Sequence, residues 1–252
     1  MQFLANGEAV YAPNFLLESG LNPDRLLAEL NAAWNVRGLF ILRGDPSTWY
    51  RDHQLSRDKL YIYFTDHPDN IPKYKFPGFQ RRAMLRYLHV SDPAVSFMKP
   101  VFEAVRRLSP GANLMIVTRY GGGEDNITPH SDDMTDIKGG SLIVDISVGA
   151  ERTFTIESKA TGKVESETPM RSGSAIVMTT AGNTQNKHAV PKQQGAGVRL
   201  SLVVRTIGTV ETRDEVVKKI STATYKERNR AHLDQARCCG PSRRQATPAA
   251  IR

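Results

Sequence analysis

His130-Ser131-Asp132, then His188, then Arg199 and Arg205 follow one another within about 75 residues of the second half of the chain. Two imidazoles and one carboxylate are the usual protein ligands of a catalytic non-heme Fe(II). They fill one face of an octahedron and leave three positions for cosubstrate and O2. Beyond the second histidine, Arg199-Leu200-Ser201-Leu202-Val203-Val204-Arg205 alternates strictly. Period two puts Arg199, Ser201, Val203 and Arg205 on one face of a strand and leucines and valine on the other. Two arginines on a half-buried strand need anionic partners, and a guanidinium fork matches a carboxylate bidentately. A dicarboxylate such as 2-oxoglutarate answers both demands. Its 2-oxo acid end would chelate the metal, and its far carboxylate would reach Arg199. The chemistry these residues suggest is metal-dependent oxygen activation.

His-x-Asp alone is a weak signal. It occurs three times, at His67-Pro68-Asp69, His130-Ser131-Asp132 and His232-Leu233-Asp234. The first sits in a proline-rich loop, and the third has no histidine after it. Only the second precedes a run of strands that contains a further histidine. In extended backbone, residues i and i+2 point the same way, so His130 and Asp132 can share one cation. Either histidine alone reads better as a surface or hydrogen-bonded residue than as a ligand; the arginines reverse that reading towards a metal. Thr118 and Tyr120 end an earlier strand and share a face, and the Tyr120 hydroxyl could donate to the same far carboxylate.

These residues need a rigid strand scaffold. From Leu114 onward, short runs rich in Val, Ile, Thr and Phe alternate with glycines, at 114–119, 141–147, 152–157, 163–167, 174–179, 187–191 and 199–207. Many short antiparallel strands at this spacing indicate a sandwich, jelly roll or barrel. Upstream, Asn22-Pro23-Asp24 opens a helix with a capping side chain and an early proline, and Leu26, Leu27, Leu30 and Trp34 recur at helical spacing. Leu39–Leu42 reads as a short buried strand and 60–64 as another. A second helix is expected from Ser91-Asp92-Pro93 to about Leu108, kinked at Pro100. Val210 to about Ala236 reads as a polar helix. The divisions that follow are 1–112 (N-terminal helices and a substrate lid), 113–208 (the metal and cosubstrate core) and 209–252 (a basic helical or partly disordered tail).

The chain has 252 residues and a net charge of +8, enough for one domain with a substantial core. From Arg213 to Arg252 the net charge is +6, so the other 212 residues carry only +2. That distribution argues against a broadly basic body built for nucleic acid. Cys238 and Cys239 are the only cysteines; adjacent, they close no loop, and the expected setting is reducing and intracellular, cytoplasmic or nuclear. No stretch is long and apolar enough to span a bilayer, and Met1–Asn6 has no signal-peptide pattern.

The stretch from Leu114 to Ile207 resembles the AlkB family of Fe(II)/2-oxoglutarate-dependent dioxygenases. The likeness rests on the Arg119-Tyr120 strand end, His130-x-Asp132, His188 and the Arg199-x5-Arg205 pair; Arg199-x-Ser201 is similar to the cosubstrate motif of the wider superfamily. The resemblance implies an α+β, mainly β fold: a double-stranded β-helix (jelly-roll) core with N-terminal helices and a helical C-terminal extension. It implies Fe(II) held by His130, Asp132 and His188. It also implies 2-oxoglutarate held by Arg199, Tyr120 and Ser201, with Arg205 supporting the cosubstrate's metal-side carboxylate and the first ligand. O2 would be consumed, 2-oxoglutarate decarboxylated to succinate, and a C–H bond hydroxylated; with an N-methyl base, formaldehyde leaves. Thr118 stands where the family commonly has asparagine.

In such nucleic-acid enzymes a lid before the core holds a flipped base with aromatic side chains. Tyr61, Tyr63 and Tyr74 occupy that region, with Gln80-Arg81-Arg82 and Arg86 adding positive charge. Stacking with phosphate contact is therefore the expectation for DNA or RNA. Gly121-Gly122-Gly123-Glu124-Asp125 is acidic and ill-suited to phosphate. Two alternatives stay open: hydroxylation of a small molecule or protein side chain by the same iron chemistry, and a non-catalytic cupin-like binding module, which would have no need of a dicarboxylate clamp.

Overall fold

The structure is a computed structural model; it describes residues 1–44, 56–74 and 81–223. Cys238, Cys239, most of the basic tail and part of the expected lid (Lys75 to Gln80) lie outside the described residues. In chain order the elements are β1 (Gln2–Leu4), β2 (Ala9–Ala12), α1 (Phe15–Glu18), α2 (Pro23–Trp34), β3 (Asp58–Tyr63), β4 (Asn70–Pro72), β5 (Leu88–His89) and α3 (Lys99–Arg106). There follow β6 (Leu114–Tyr120), β7 (Ile127–His130), β8 (Leu142–Gly149), β9 (Arg152–Ser158), β10 (Val164–Met170) and β11 (Ala175–Thr179). The described chain closes with α4 (Thr180–Gln185), β12 (Asn186–Val190), β13 (Arg199–Arg205), β14 (Val210–Thr212) and helical residues 213–223.

The fold is mainly β with some helices. An eight-stranded sheet runs β1-β2-β11-β8-β13-β6-β3-β5, and a four-stranded sheet runs β10-β9-β12-β7. In the large sheet, β13 lies between β6 and β8, antiparallel to both. One face of these central strands carries Val117, Val144, Ile146, Leu200, Leu202 and Val204, buried together with Leu26 and Leu30 of α2 and Phe102 and Val105 of α3. Fully burying each such aliphatic side chain contributes about 1.5–3 kcal/mol. The helix α2 forms where the sequence indicates it: the Asn22 side chain accepts hydrogen bonds from the backbone N–H groups of Asp24 and Arg25, both at 2.9 Å. A second apolar cluster joins Tyr120 and Ile176 of the large sheet to Phe154, Ile156 and Val190 of the small one. Thr118, Asp145, Ser201 and Arg205 of the central strands line a cavity that Phe154 and His188 of the small sheet also line.

The structure departs from several expectations. Leu39–Leu42 is not a strand; only Ile41 makes a bridge, to Lys59, after Gly38 turns the chain at φ +83°. The second helix does not begin at Ser91 and is not kinked at Pro100. It is α3, starting at Lys99, with the proline in its first turn, where a missing N–H costs nothing. Val210–Thr212 is a strand pairing with β4, and the helix begins only at 213. Residues 1–112 are more than helices and a lid, because β1, β2, β3 and β5 extend the large sheet on both sides. They cover backbone edges that β11 and β6 would otherwise expose.

Candidate metal centre and carboxylate site

His130 is the last residue of β7 and His188 the middle residue of β12, and the two are direct cross-strand partners. Their rings lie 4.4 Å apart. Asp132 follows two residues after the strand, and one potential ligand atom from each of His130, Asp132 and His188 lies within 4.8 Å of the others. Among the described residues this is the group that could hold a metal ion. Each member is separately fixed. His130 Nδ1 lies 2.9 Å from the Thr128 carbonyl; as donor there, it leaves Nε2 with the lone pair a metal needs. The ring of Phe154 stacks on His188 at 5.6 Å and 10°. Asn183, wholly buried on α4, accepts from the Asp132 N–H at 2.8 Å and donates to the Asp132 carbonyl at 3.0 Å.

Electrostatics prepare the three groups for a cation. Burial lowers the pKa of His188 to about 4 and lowers that of His130, so both rings are neutral near pH 7. For Asp132, burial works against the charge, but Arg205 and the two histidines outweigh it and hold the carboxyl below its ordinary range. His188 Nδ1 is buried without a hydrogen-bond partner. Two neutral imidazoles and one carboxylate, clustered and partly unsatisfied, suit a divalent first-row metal such as Fe(II).

A cavity of about 320 Å³ opens over this cluster. His130, Asp132, His188, Thr118, Tyr120, Ser201, Arg205 and Tyr74 line it, together with Arg57, Lys59, Asp145 and Phe154. The structure thus brings together all but one of the expected metal and cosubstrate residues. The exception is Arg199, which lies behind the wall and is wholly buried. Its Nε donates to Ser147 Oγ at 2.8 Å, while both terminal nitrogens lack hydrogen-bond partners. That is the condition of a fork suited to a carboxylate. Arg205 contacts Asp132, the second candidate ligand in chain order, rather than His130, the first: its Nε and Nη2 approach Asp132 Oδ2 at 2.8 and 2.6 Å.

Arg57 and Arg152 were not among the site residues expected from the sequence, and with Arg199 they surround Tyr120. Arg57, Arg152 and Arg199 place their guanidinium carbons 5.3, 5.7 and 5.3 Å from the centre of the Tyr120 ring. Arg152 is wholly buried and donates to the carbonyls of Gly122, Asp125 and Pro191 at 3.1, 2.8 and 2.8 Å. Those bonds hold the glycine-rich loop. Gly123 has no room for a side chain there, because a Cβ would lie 2.0 Å from the Gln193 carbonyl oxygen. The loop's acids are engaged, Asp125 with Arg43 and Glu124 with Lys192. The only hint of Arg152 in the sequence was a charge at the start of an alternating strand.

The expected substrate residues divide. Tyr74 lines the cavity, with the Arg205 guanidinium 5.1 Å from its ring centre. Tyr61 does not; it stacks on Tyr87 at 4.6 Å and 3° inside the core. Tyr63 packs in the same cluster and donates to the Pro68 carbonyl. Arg81 pairs with Glu211 of β14, so its charge is spent inside the protein. Tyr61 and Tyr63 share the face of β3 that carries the cavity-lining Lys59, but they pack in one cluster with Met84 and Tyr87, so their stretch of that face is buried.

A family model described as the 2OG-Fe(II) oxygenase superfamily matches residues 10–213. The human protein DNA oxidative demethylase ALKBH2 is 31% identical over 121 residues, 43% of this chain and 46% of that protein; the match thus spans about half the length of that curated relative. Among solved structures, that of OsALKBH1 superposes with a TM-score of 0.52 at 15% identity, covering 81% of this chain and 100% of the other. An oxidoreductase of the 2OG-Fe(II) oxygenase family from Burkholderia pseudomallei gives 0.44 at 16% identity, covering 82% and 89%. The OsALKBH1 superposition reflects a shared mainly-β fold.

Proposed function

The chain belongs to the 2OG-Fe(II) oxygenase superfamily, whose chemistry uses Fe(II), 2-oxoglutarate and O2, and on that premise we propose that it hydroxylates the N-methyl group of an alkylated nucleic-acid base. The two sheets would then be the halves of a double-stranded β-helix. The observation that carries the iron chemistry is the meeting of His130, Asp132 and His188 in one cavity with buried arginines beside it. Bound Fe(II) would supply activation of O2, the oxidant, whose one oxygen atom enters succinate as 2-oxoglutarate loses CO2 and whose other enters the C–H bond. The chain's own residues do the rest. His130, Asp132 and His188 would hold the metal. Arg199, Tyr120, Ser201 and Thr118 would receive the cosubstrate, and Arg205 keeps Asp132 ionised and oriented. A hydroxymethyl group on nitrogen then releases formaldehyde.

The nucleic-acid reading draws on the likeness to a relative named as a DNA demethylase, and on Arg57, Lys59 and Tyr74 in the cavity wall. Tyr74 offers a ring for stacking, and the two cations favour an anionic partner. The same two cations suit a small acid, so hydroxylation of an anionic small molecule is the second reading. Incubation with Fe(II), ascorbate, 2-oxoglutarate and methylated oligonucleotides, with mass detection of the lost methyl group, tests the first. Steady succinate production with no loss of methyl groups from any oligonucleotide would turn the reading towards the second. Absence of any 2-oxoglutarate turnover would end both.

A further inference from the structure

We propose that Asp145 is a built-in counter-ion for Arg199 that the far carboxylate of 2-oxoglutarate must displace, so that this residue sets cosubstrate affinity. The inference rests on the cosubstrate reading above and goes beyond it. Asp145 lies on β8, opposite Val203 of β13, and faces the cavity. Its Oδ1 accepts from Ser201 Oγ at 2.6 Å, and its Oδ2 lies 3.5 Å from Arg199 Nη2. The Asp145 side chain is 13% exposed and that of Arg199 0%. The fork that suits a dicarboxylate therefore already faces a carboxylate of its own chain, and that acid, not Arg199, meets the cavity.

The contact is an ion pair without a hydrogen bond. Both terminal nitrogens of Arg199 remain unsatisfied, so Asp145 neutralises the arginine without saturating it. That state is weakly held. A free carboxylate that can reach Arg199 offers hydrogen bonds Asp145 does not make, but it has to overcome the repulsion of a second anion in a partly buried space. The cost falls only on ligands that carry a carboxylate at that end. Asp145 thus penalises 2-oxoglutarate and leaves a 2-oxo acid lacking the far carboxylate untouched.

The test is calorimetric binding to full-length protein loaded with Mn(II) under anaerobic conditions, so that no turnover is needed. Ligands are 2-oxoglutarate and 2-oxobutyrate; proteins are wild type, Asp145→Asn, Arg199→Met and the double variant, with Asp145→Ser in reserve if the asparagine form does not fold. Asp145→Asn should tighten 2-oxoglutarate by about ten-fold, the weight of one partly screened charge pair, and change 2-oxobutyrate less than about two-fold. In the Arg199→Met background the gain should shrink to what direct repulsion between Asp145 and the far carboxylate contributes, because the pair is gone. Equal or weaker 2-oxoglutarate binding by Asp145→Asn overturns the proposal, as does an equal gain for both ligands. If neither wild type nor any variant binds 2-oxoglutarate, the cosubstrate reading itself fails; if only the Asp145 variants bind, the counter-ion role stands in its strongest form.

Discussion

Arg205 directs both Nε and Nη2 at a single oxygen of Asp132, Oδ2, at 2.8 and 2.6 Å. The grip is on one oxygen, which leaves Oδ1 for a cation. It also joins the last residue of β13 to a loop 73 positions earlier, so the central strand of the large sheet and Asp132, a candidate metal ligand, are fixed as one unit.

Asp132 is therefore predicted to matter to the metal-free protein as well as to catalysis. Asp132→Ala leaves Arg205 buried without its hydrogen-bonded carboxylate, a loss of about 3–5 kcal/mol. His130→Ala removes a half-buried ring and should cost about 1 kcal/mol. Urea denaturation of both variants after chelation of metal checks the difference; equal midpoints would mean that the Arg205 contact carries no stability. Both variants should lose iron binding and succinate production.

Asn183 offers a subtler check. It touches the backbone of Asp132, not its carboxylate, so Asn183→Ala keeps all three ligand types while loosening their placement. Iron affinity should drop about 10–100-fold, the usual effect of removing an orienting group. Titration with Fe(II) under nitrogen reads this directly, and an unchanged affinity would show that the loop holds Asp132 unaided.

Lys59 gives a pH dependence. Burial first, then the nearby charges of Arg57 and Arg205, lower its pKa from 10.5 to about 8, Asp132 pulling the other way. Below about pH 8 the lysine is charged in both folded and unfolded chains, and the folded protein bears the full cost. Between about 8 and 10.5 the unfolded chain holds the proton more tightly, so the cost fades as pH rises. Lys59→Met should therefore raise stability by about 2 kcal/mol at pH 7, and the advantage over wild type should disappear by about pH 10.5. An advantage that grows with pH would contradict the assignment.

The tyrosines separate core from cavity. Tyr61→Ala should cost about 3–5 kcal/mol through the lost stack on Tyr87, and Tyr61→Phe, which keeps the ring, should restore both stability and turnover. Tyr74→Ala should instead raise the KM for the organic substrate, since that ring lines the cavity. Matching kinetics for the Tyr61 and Tyr74 alanine variants, once both are folded, would undo the distinction.

The sequence by itself determined the ligand types, their order and the period-two face of β13. These are local facts: alternation fixes which side chains share a face of a strand, and an asparagine before proline and aspartate caps its own helix. Arg199, Ser201 and Arg205 could be put on one face from the sequence alone, and His130 with Asp132 could be read as one clamp. What lies across from that face was not legible. Asp145 meets Arg199 and Ser201 only because β8 lies beside β13, 56 positions separating the serine from its acid. Arg152 reaches three carbonyls 27 to 39 positions away, and Arg81 finds Glu211 at a separation of 130. Such partners are chosen by sheet order and layer packing, which no local pattern records. For the same reason Tyr61 and Tyr74, alike in the sequence and buried in one cluster, differ in that only Tyr74 lines the cavity, a difference that the tertiary structure alone decides.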